Sequence, residues 1–305
     1  MTAKPADIAA SVRDRLRNIA RQKDTDYQLV LRRYAAERLL HRLGVSAYRD
    51  QFILKGAMLF TAWLGDPFRP TQDLDLLGCG DPETTSVGAV FAEICRTDVG
   101  DDGLVFAADG LSAEPIRAGG PYGGVRVRTR ALLGTTRIPV QADIGFGDAI
   151  MPAPQEMEFP PLLAANGPHV KAYPKEAVVA EKLEAIVAIG RPNTRMKDFY
   201  DLFALARLFP FDGETLTAAL RATFDRRGTT MPANRPVGLS PAFAEDPEKT
   251  RQWSAFVGRQ SLQTDVPSLA VLVDEIAAFV MPPAQAASSG TTFDRHWPAG
   301  GGWMP

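Results

Sequence analysis

Cysteine and histidine are scarce in this chain of 305 residues, with two of the first and three of the second. Cys79 and Cys95 form no CxxC pair, so neither a disulfide framework nor a zinc ribbon organises the fold. His41, His169 and His296 lie far apart without ligand spacing, and none is expected to be catalytic. A GxSxG-type element is missing, which removes the serine-hydrolase reading. A GxxxxGK[ST] phosphate loop is missing too: "GGPYGG" (119–124) reads as a hairpin turn and "GFGDAI" as a strand end. Excess charge of one sign is also lacking, with a formal net charge of -2, so any contact with nucleic acid needs a local basic patch. No apolar run of about 18 residues and no secretory h-region occur, and the expectation is a cytoplasmic protein with no membrane partner. Internal repeats and low-complexity tracts are absent.

What is there has globular proportions, 45% apolar and 23% charged, with enough chain for two domains or one large one. Amphipathic helices are expected over 6–22 and 26–43, the second stopped by Gly44. "QFILKG" (51–56) reads as a strand, "AMLFTAWLG" (57–65) as a short helix, "RPT" as a turn and "DLDLLG" (73–78) as the next strand. A helix follows from near Thr84, then strands over 104–110, 123–133 and 136–148. In the middle one of these, Val125, Val127 and Thr129 alternate with Arg126, Arg128 and Arg130, the period of a half-buried strand whose arginines could meet a phosphate backbone, a solvated face being the favoured reading. A proline-rich stretch (152–168) marks a change of regime, and helices are expected at 174–189, 197–208, 213–227, 241–257 and 266–281. The expected organisation is α+β. N-terminal helices and a mixed-sheet core fill 1–165, a helical domain fills 166–282, and a loop-like tail (283–305) docks through Trp297 and Trp303.

"RPTQDLDLLG" (69–78) sets Asp73 and Asp75 on one face of a strand, about 6–7 Å apart along the backbone, with Leu74 and Leu76 turned to the core. Like charges so placed repel, and a bound divalent cation is a good reason for them. Asp143 in "VQADIGFGD" shares a strand face with Gln141 and is a third acid, while Asp148 lies past two glycines in a loop. Three acids of this kind can hold two Mg²⁺ (or Mn²⁺) ions for phosphoryl transfer. The unspecific alternative is a solvated strand face. A second constellation lies in "YPKEAVVAEKLEAIVAIGRPNTRMKDFYDL" (173–202). Val178, Val179, Leu183, Ile186 and Val187 form an apolar stripe with Glu181 and Lys182 at its edge, and Asp198 and Asp201 share a face of the next helix.

"KGAMLF…RPTQDLDL" resembles the polymerase-β-like nucleotidyltransferases, which carry a glycine pair or Gly-Ser at a helix N-terminus before an acid-x-acid strand. "EKL" followed by "RMKDFYDL" narrows the resemblance to the AbiEii/AbiGii toxin family, the group that includes the MenT-type toxins. The resemblance implies a polymerase-β-like core followed by a helical domain. It implies that Asp73 and Asp75, with Asp143 as a third ligand, hold the metal. It further implies that Lys182 meets the triphosphate and that Asp198 acts as base or orienting group near the attacking hydroxyl. Gly56 would let phosphates approach backbone N–H groups, and Ala57 departs from the usual Ser or Gly, losing a hydroxyl contact. Lys55, Arg69, Arg195 and Lys197 would flank the phosphates or an RNA path, and Asp201 reads either as a second acid or as an ion-pair residue. The implied activity is transfer of NMP from an NTP to an acceptor hydroxyl, RNA and the tRNA 3′ end foremost, by the toxin of a type IV toxin–antitoxin system with an antitoxin encoded nearby. The alternatives are a protein or small-molecule acceptor, or a degenerate nucleotide binder, which Ala57 favours.

Overall fold

A computed structural model describes residues 5–65, 71, 73–116, 123–163, 166–259 and 266–305. The chain divides into two compact units, Met1–Gly147 with Gln155–Ala172, and Asp148–Pro154 with Tyr173–Pro305.

The first unit is a mixed sheet flanked by helices. Its elements are α1 (Pro5–Gln22), α2 (Tyr27–Val45), β1 (Phe52–Lys55), α3 (Met58–Leu64), β2 (Asp73–Gly78) and α4 (Thr84–Arg96). They are followed by β3 (Leu104–Phe106), β4 (Ser112–Ile116), β5 (Gly124–Leu133), β6 (Thr136–Phe146), β7 (Gln155–Glu158) and β8 (His169–Ala172). The strand order is β3-β5-β6-β2-β1-β8-β7, with β4 also on β5. The β2–β6 and β1–β8 pairs are parallel and the rest antiparallel. Strict alternation over β5 and β6 buries Val125, Val127, Ile138, Val140, Ala142 and Ile144, the period a one-sided sheet requires.

Several local expectations change. The 104–110 stretch is strand only to Phe106 and then a 3-10 turn. Strands β4, β7 and β8 were not expected; the first and last pair with β5 and β1 respectively. The residues 117–122, most of the expected hairpin turn, lie outside the described residues, but β4 and β5 pair antiparallel with Ile116 opposite Gly124. Gly44 is not the stop of α2, which runs to Val45. A Cβ on Gly44 would come within 2.6 Å of the His169 carbonyl oxygen, so this glycine allows helix and β8 to approach.

Helix α2 also buries charge. Arg42 donates to both carboxylate oxygens of Asp102 at 2.6 and 3.2 Å, and Arg38 lies 3.4 Å from the same carboxylate. Glu37 accepts the Leu162 N–H at 2.8 Å, and burial pushes its pKa up to about 7. These partners come from distant segments, so each buried charge has a counter-charge or a donor.

The second unit contains α5 (Lys175–Ile189), α6 (Met196–Leu208), β9 (Phe211–Asp212), α7 (Gly213–Arg227), α8 (Pro241–Ala244), α9 (Pro247–Arg259), α10 (Leu269–Ser289) and β10 (His296–Trp297). The helix expected at 241–257 is broken between α8 and α9. Helix α10 runs through Pro282 and Pro283 to Ser289, beyond the expected end at 281. Proline removes an intrahelical N–H, and Pro283 thereby strips the Phe279 carbonyl of its usual donor. The Trp303 indole N–H supplies the missing bond at 2.8 Å. The Trp297 indole N–H likewise reaches the Ala206 carbonyl in the last turn of α6 at 2.8 Å. By length and composition α10 could cross a membrane, yet Leu272, Val273, Ile276, Phe279 and Val280 are buried in this unit's core.

Candidate active site

The sheet register assembles the acid constellation of the first unit. Lys55 lies opposite Asp75, Asp75 opposite Asp143, Asp143 opposite Arg126, and Arg126 opposite Glu114. One row across five strands therefore alternates cation and acid except at its centre, where two acids meet. The adjacent row on the same face is Asp73, Gln141, Arg128 and Ser112. Leu74 and Leu76 are fully buried on the opposite face, which fixes the direction of both acids on β2.

Asp75 and Asp143 side by side would repel. Arg126 answers this with a two-pronged grip on Asp143, Nε to Oδ1 at 2.8 Å and Nη2 to Oδ2 at 2.6 Å. That hydrogen bond raises the pKa of Arg126 further above its ordinary value. Arg128 pairs with Glu114 and donates to Gln141 at 3.2 Å. Arg126 and Arg128, expected as solvated charges, are thus partnered on the acidic face.

Gly56 follows β1 with a φ of +74°, a conformation that favours glycine. Asp75 lies against it: a Cβ built on Gly56 would fall 2.1 Å from Oδ2 of that carboxylate. Ala57 is buried and precedes α3 without a side-chain cap. Arg69 lies outside the described residues.

The second unit gathers the other constellation into one ion cluster. Lys182 on α5 donates to Asp198 Oδ1 at 3.0 Å and to Asp201 Oδ2 at 2.7 Å, both on α6. The two carboxylates are 2% and 1% exposed, and Arg195 forms an ion pair with Asp198 at 2.6 Å. Burial alone would raise the Asp198 pKa, but Lys182 and Arg195 outweigh it and hold the carboxyl below its ordinary range. Lys197 is exposed. Beneath the loop before α6, buried Asn193 accepts the Arg195 N–H at 2.8 Å, and buried Lys249 holds the Asn193 carbonyl at 3.0 Å. Asp148 pairs with Arg227 at 3.0 Å, as do Glu181 and Glu184 at 3.4 and 2.7 Å. Neither Lys249 nor Arg227 stands out in the sequence, because nothing local separates a buried cation from a solvated one.

Among the described residues no three acidic, thiol or imidazole side chains are grouped as a ready-made metal cage. Asp143 is engaged by Arg126, while Asp73 and Asp75 share a face. Two carboxylates fit a hard divalent cation that completes its shell with water and substrate phosphate.

The model of the nucleotidyl transferase AbiEii toxin family, type IV toxin–antitoxin system, matches residues 38–275. Among solved structures, a candidate nucleotidyltransferase of H. pylori is 15% identical, with a TM-score of 0.47 over 87% of this chain and 96% of its own. JHP933 from Helicobacter pylori is also 15% identical, with a TM-score of 0.49 over 87% and 94%. No curated protein matches. With most of its length matched by that family's model, the chain belongs to the AbiEii nucleotidyltransferase toxins of type IV toxin–antitoxin systems.

Proposed function

We propose that this nucleotidyltransferase moves a nucleoside monophosphate from an NTP to a hydroxyl of RNA, the 3′ end of tRNA foremost. The acceptor oxygen forms a bond to the α-phosphorus as the bond from that phosphorus to the α–β bridging oxygen breaks; the hydroxyl proton passes to solvent and pyrophosphate leaves. Family membership implies the NTP and a cognate antitoxin; the RNA acceptor is our own reading. The observation that supports phosphate chemistry here is Asp75, set between Lys55 and Asp143 in the sheet row and lying directly over Gly56.

Asp73 and Asp75 would hold Mg²⁺ (or Mn²⁺) together with the substrate phosphates. When bound, the cation neutralises charge developing on those phosphates. Gly56, with no Cβ, lets the Asp75 carboxylate lie against the backbone, and Lys55 adds positive charge to the same row. Lys182 would meet the triphosphate, its ammonium held in place by Asp198 and Asp201. A carboxylate kept below its ordinary pKa is a weak base, which supports Asp198 as the group that positions Lys182 rather than one that takes the hydroxyl proton. Arg195 and Lys197 would flank the phosphates.

The test incubates the protein with Mg²⁺, each α-labelled NTP in turn and total tRNA, beside an Asp73→Ala/Asp75→Ala control. Label on RNA with the native protein alone is the expected result. Label on protein instead overturns the RNA acceptor. Binding of Mg²⁺-NTP without transfer to any acceptor overturns the reaction and turns attention to Ala57.

A further inference from the structure

A cavity of about 550 Å³ opens in the first unit beside the acidic face, lined by Arg32, Arg128, Arg130, Asp73, Ser112 and Gln141 among others. Its volume lies within the range of ligand-sized pockets, roughly 300–1,000 Å³. Its lining is about half polar and includes three arginines, from α2 (Arg32) and β5 (Arg128 and Arg130). Asp73 belongs both to this cavity and to the acid pair on β2.

The register gives the cavity a direction. Gly56 adjoins Lys55 in the row of Asp75 and Asp143. The neighbouring row, Asp73, Gln141, Arg128 and Ser112, crosses β2, β6, β5 and β4, each strand further from β1, and Arg130 lies next on the same face of β5, opposite Pro139. The cavity therefore extends from Asp73 across the sheet, away from β1 and its Lys55, which suits the nucleotide's phosphates. A reaction at the acid pair needs two substrates to approach from two sides, and the arginine side is left for the acceptor.

We propose that this cavity binds the sugar–phosphate backbone of a single-stranded RNA end, and that Arg32 and Arg130 are acceptor-binding residues. Guanidinium forks match phosphate oxygens in pairs. Arg128 and Arg130 lie two positions apart on one strand, about 6–7 Å, close to the separation of successive phosphates in an extended single strand. Ser112 and Gln141 can exchange hydrogen bonds with 2′-hydroxyls. Arg128 is already paired with Glu114, so that carboxylate restrains the site's affinity. The inference rests on the RNA-acceptor reading above.

The experiment measures binding of a fluorescent single-stranded oligoribonucleotide and, separately, of Mg²⁺-NTP, over a range of salt. The proteins compared are the native chain, Arg32→Gln, Arg130→Gln and Glu114→Gln, each also assayed for label transfer to RNA. Each arginine variant is expected to bind the oligonucleotide several-fold more weakly, with a slope of log K against log salt shallower by about 0.7 per lost phosphate contact. The transfer KM for RNA rises while NTP affinity stays level. Glu114→Gln, which frees Arg128, is expected to tighten oligonucleotide binding. Native transfer to RNA with oligonucleotide binding unchanged in the arginine variants overturns the subsite and leaves the function standing. Loss of NTP binding in those variants assigns the cavity to the triphosphate and overturns the inference. Native label on protein and none on RNA removes the function itself, and the RNA subsite with it.

Discussion

The carboxylate of Asp75 rests on the backbone of Gly56 so closely that any side chain at 56 would displace it. Gly56→Ala combines this clash with a positive φ, which alone costs a residue with a Cβ about 1–2 kcal/mol. We expect a loss of at least about 2 kcal/mol in stability and a larger proportional loss of Mg²⁺-NTP binding. Denaturant unfolding and calorimetric titration measure both, and a variant with native stability and native binding refutes the relationship.

Arg126 decides whether Asp143 is open to a cation. Arg126→Gln removes the two-pronged grip and leaves Asp143 facing Asp75. A carboxylate released from its guanidinium beside a second one attracts a divalent ion, so Mn²⁺ binding without nucleotide is expected to tighten several-fold. Unchanged Mn²⁺ affinity in titrations of the variant would exclude Asp143 as a latent ligand.

Lys182 serves two buried carboxylates at once. Lys182→Met removes the ammonium from Asp201 and leaves Asp198 with Arg195, and breaking such a buried pair from one side costs about 3–5 kcal/mol. The same linkage sets a pH dependence. Because the folded pKa of Asp198 is depressed, its contribution is present above the unfolded carboxylate pKa and is lost as pH falls through the folded value. In the Met variant this acid-side loss should shrink or reverse, as read from unfolding midpoints between neutral and acid pH. An inactive Lys182 variant is interpretable only beside its stability, and Asp198→Asn, which keeps the shape, separates positioning from collapse by its effect on NTP affinity.

Glu37 carries the opposite sign. Its folded pKa of about 7 lies above the ordinary carboxylate value, so its stabilising proton is kept at low pH and lost as pH rises through about 7. The loss amounts to roughly 3 kcal/mol. Glu37→Gln should flatten stability between about pH 4.5 and 7; an unaltered slope in thermal unfolding would show that Glu37 stays ionised throughout.

Trp303 is expected to matter through one hydrogen bond as well as through its rings. Trp303→Phe keeps an aromatic group near Phe279 and Phe293 but leaves the Phe279 carbonyl without the donor that Pro283 also withholds. A buried acceptor so orphaned costs about 1–3 kcal/mol. A destabilisation near zero would mean that the helix tolerates the open carbonyl.

Much of this could be read from residue order, and the limits have physical causes. Alternation made β2, β5 and β6 visible, because each buries one face, and the shared direction of Asp73 and Asp75 followed from the same period. Strands β4 and β7 expose most of their residues and carry Glu114, Pro115, Glu156 and Glu158, so no apolar period betrays them. The proline-rich stretch hid β7, and Pro282–Pro283 mimicked a helix end that a tryptophan from the tail overrides. Lys182, Asp198 and Asp201 could each be singled out, but their joining in one cluster depends on how α5 packs on α6. Arg126 was taken for a solvated charge because only the pairing of β5 with β6 reveals Asp143 opposite it.

The place of β8 has a consequence for how the protein is made. Leu54 on β1 has Ala172 as its partner, and β7 then pairs with β8, so one side of the sheet is contributed by residues 155–172. A ribosome delivers β1, β2 and the acid pair early, with the edge of β1 still unpaired. Parallel pairing across so long a separation is slow, because the loop must close before the contacts repay it. Until Ala172 emerges, the nascent enzyme has its carboxylates in hand but its sheet unfinished.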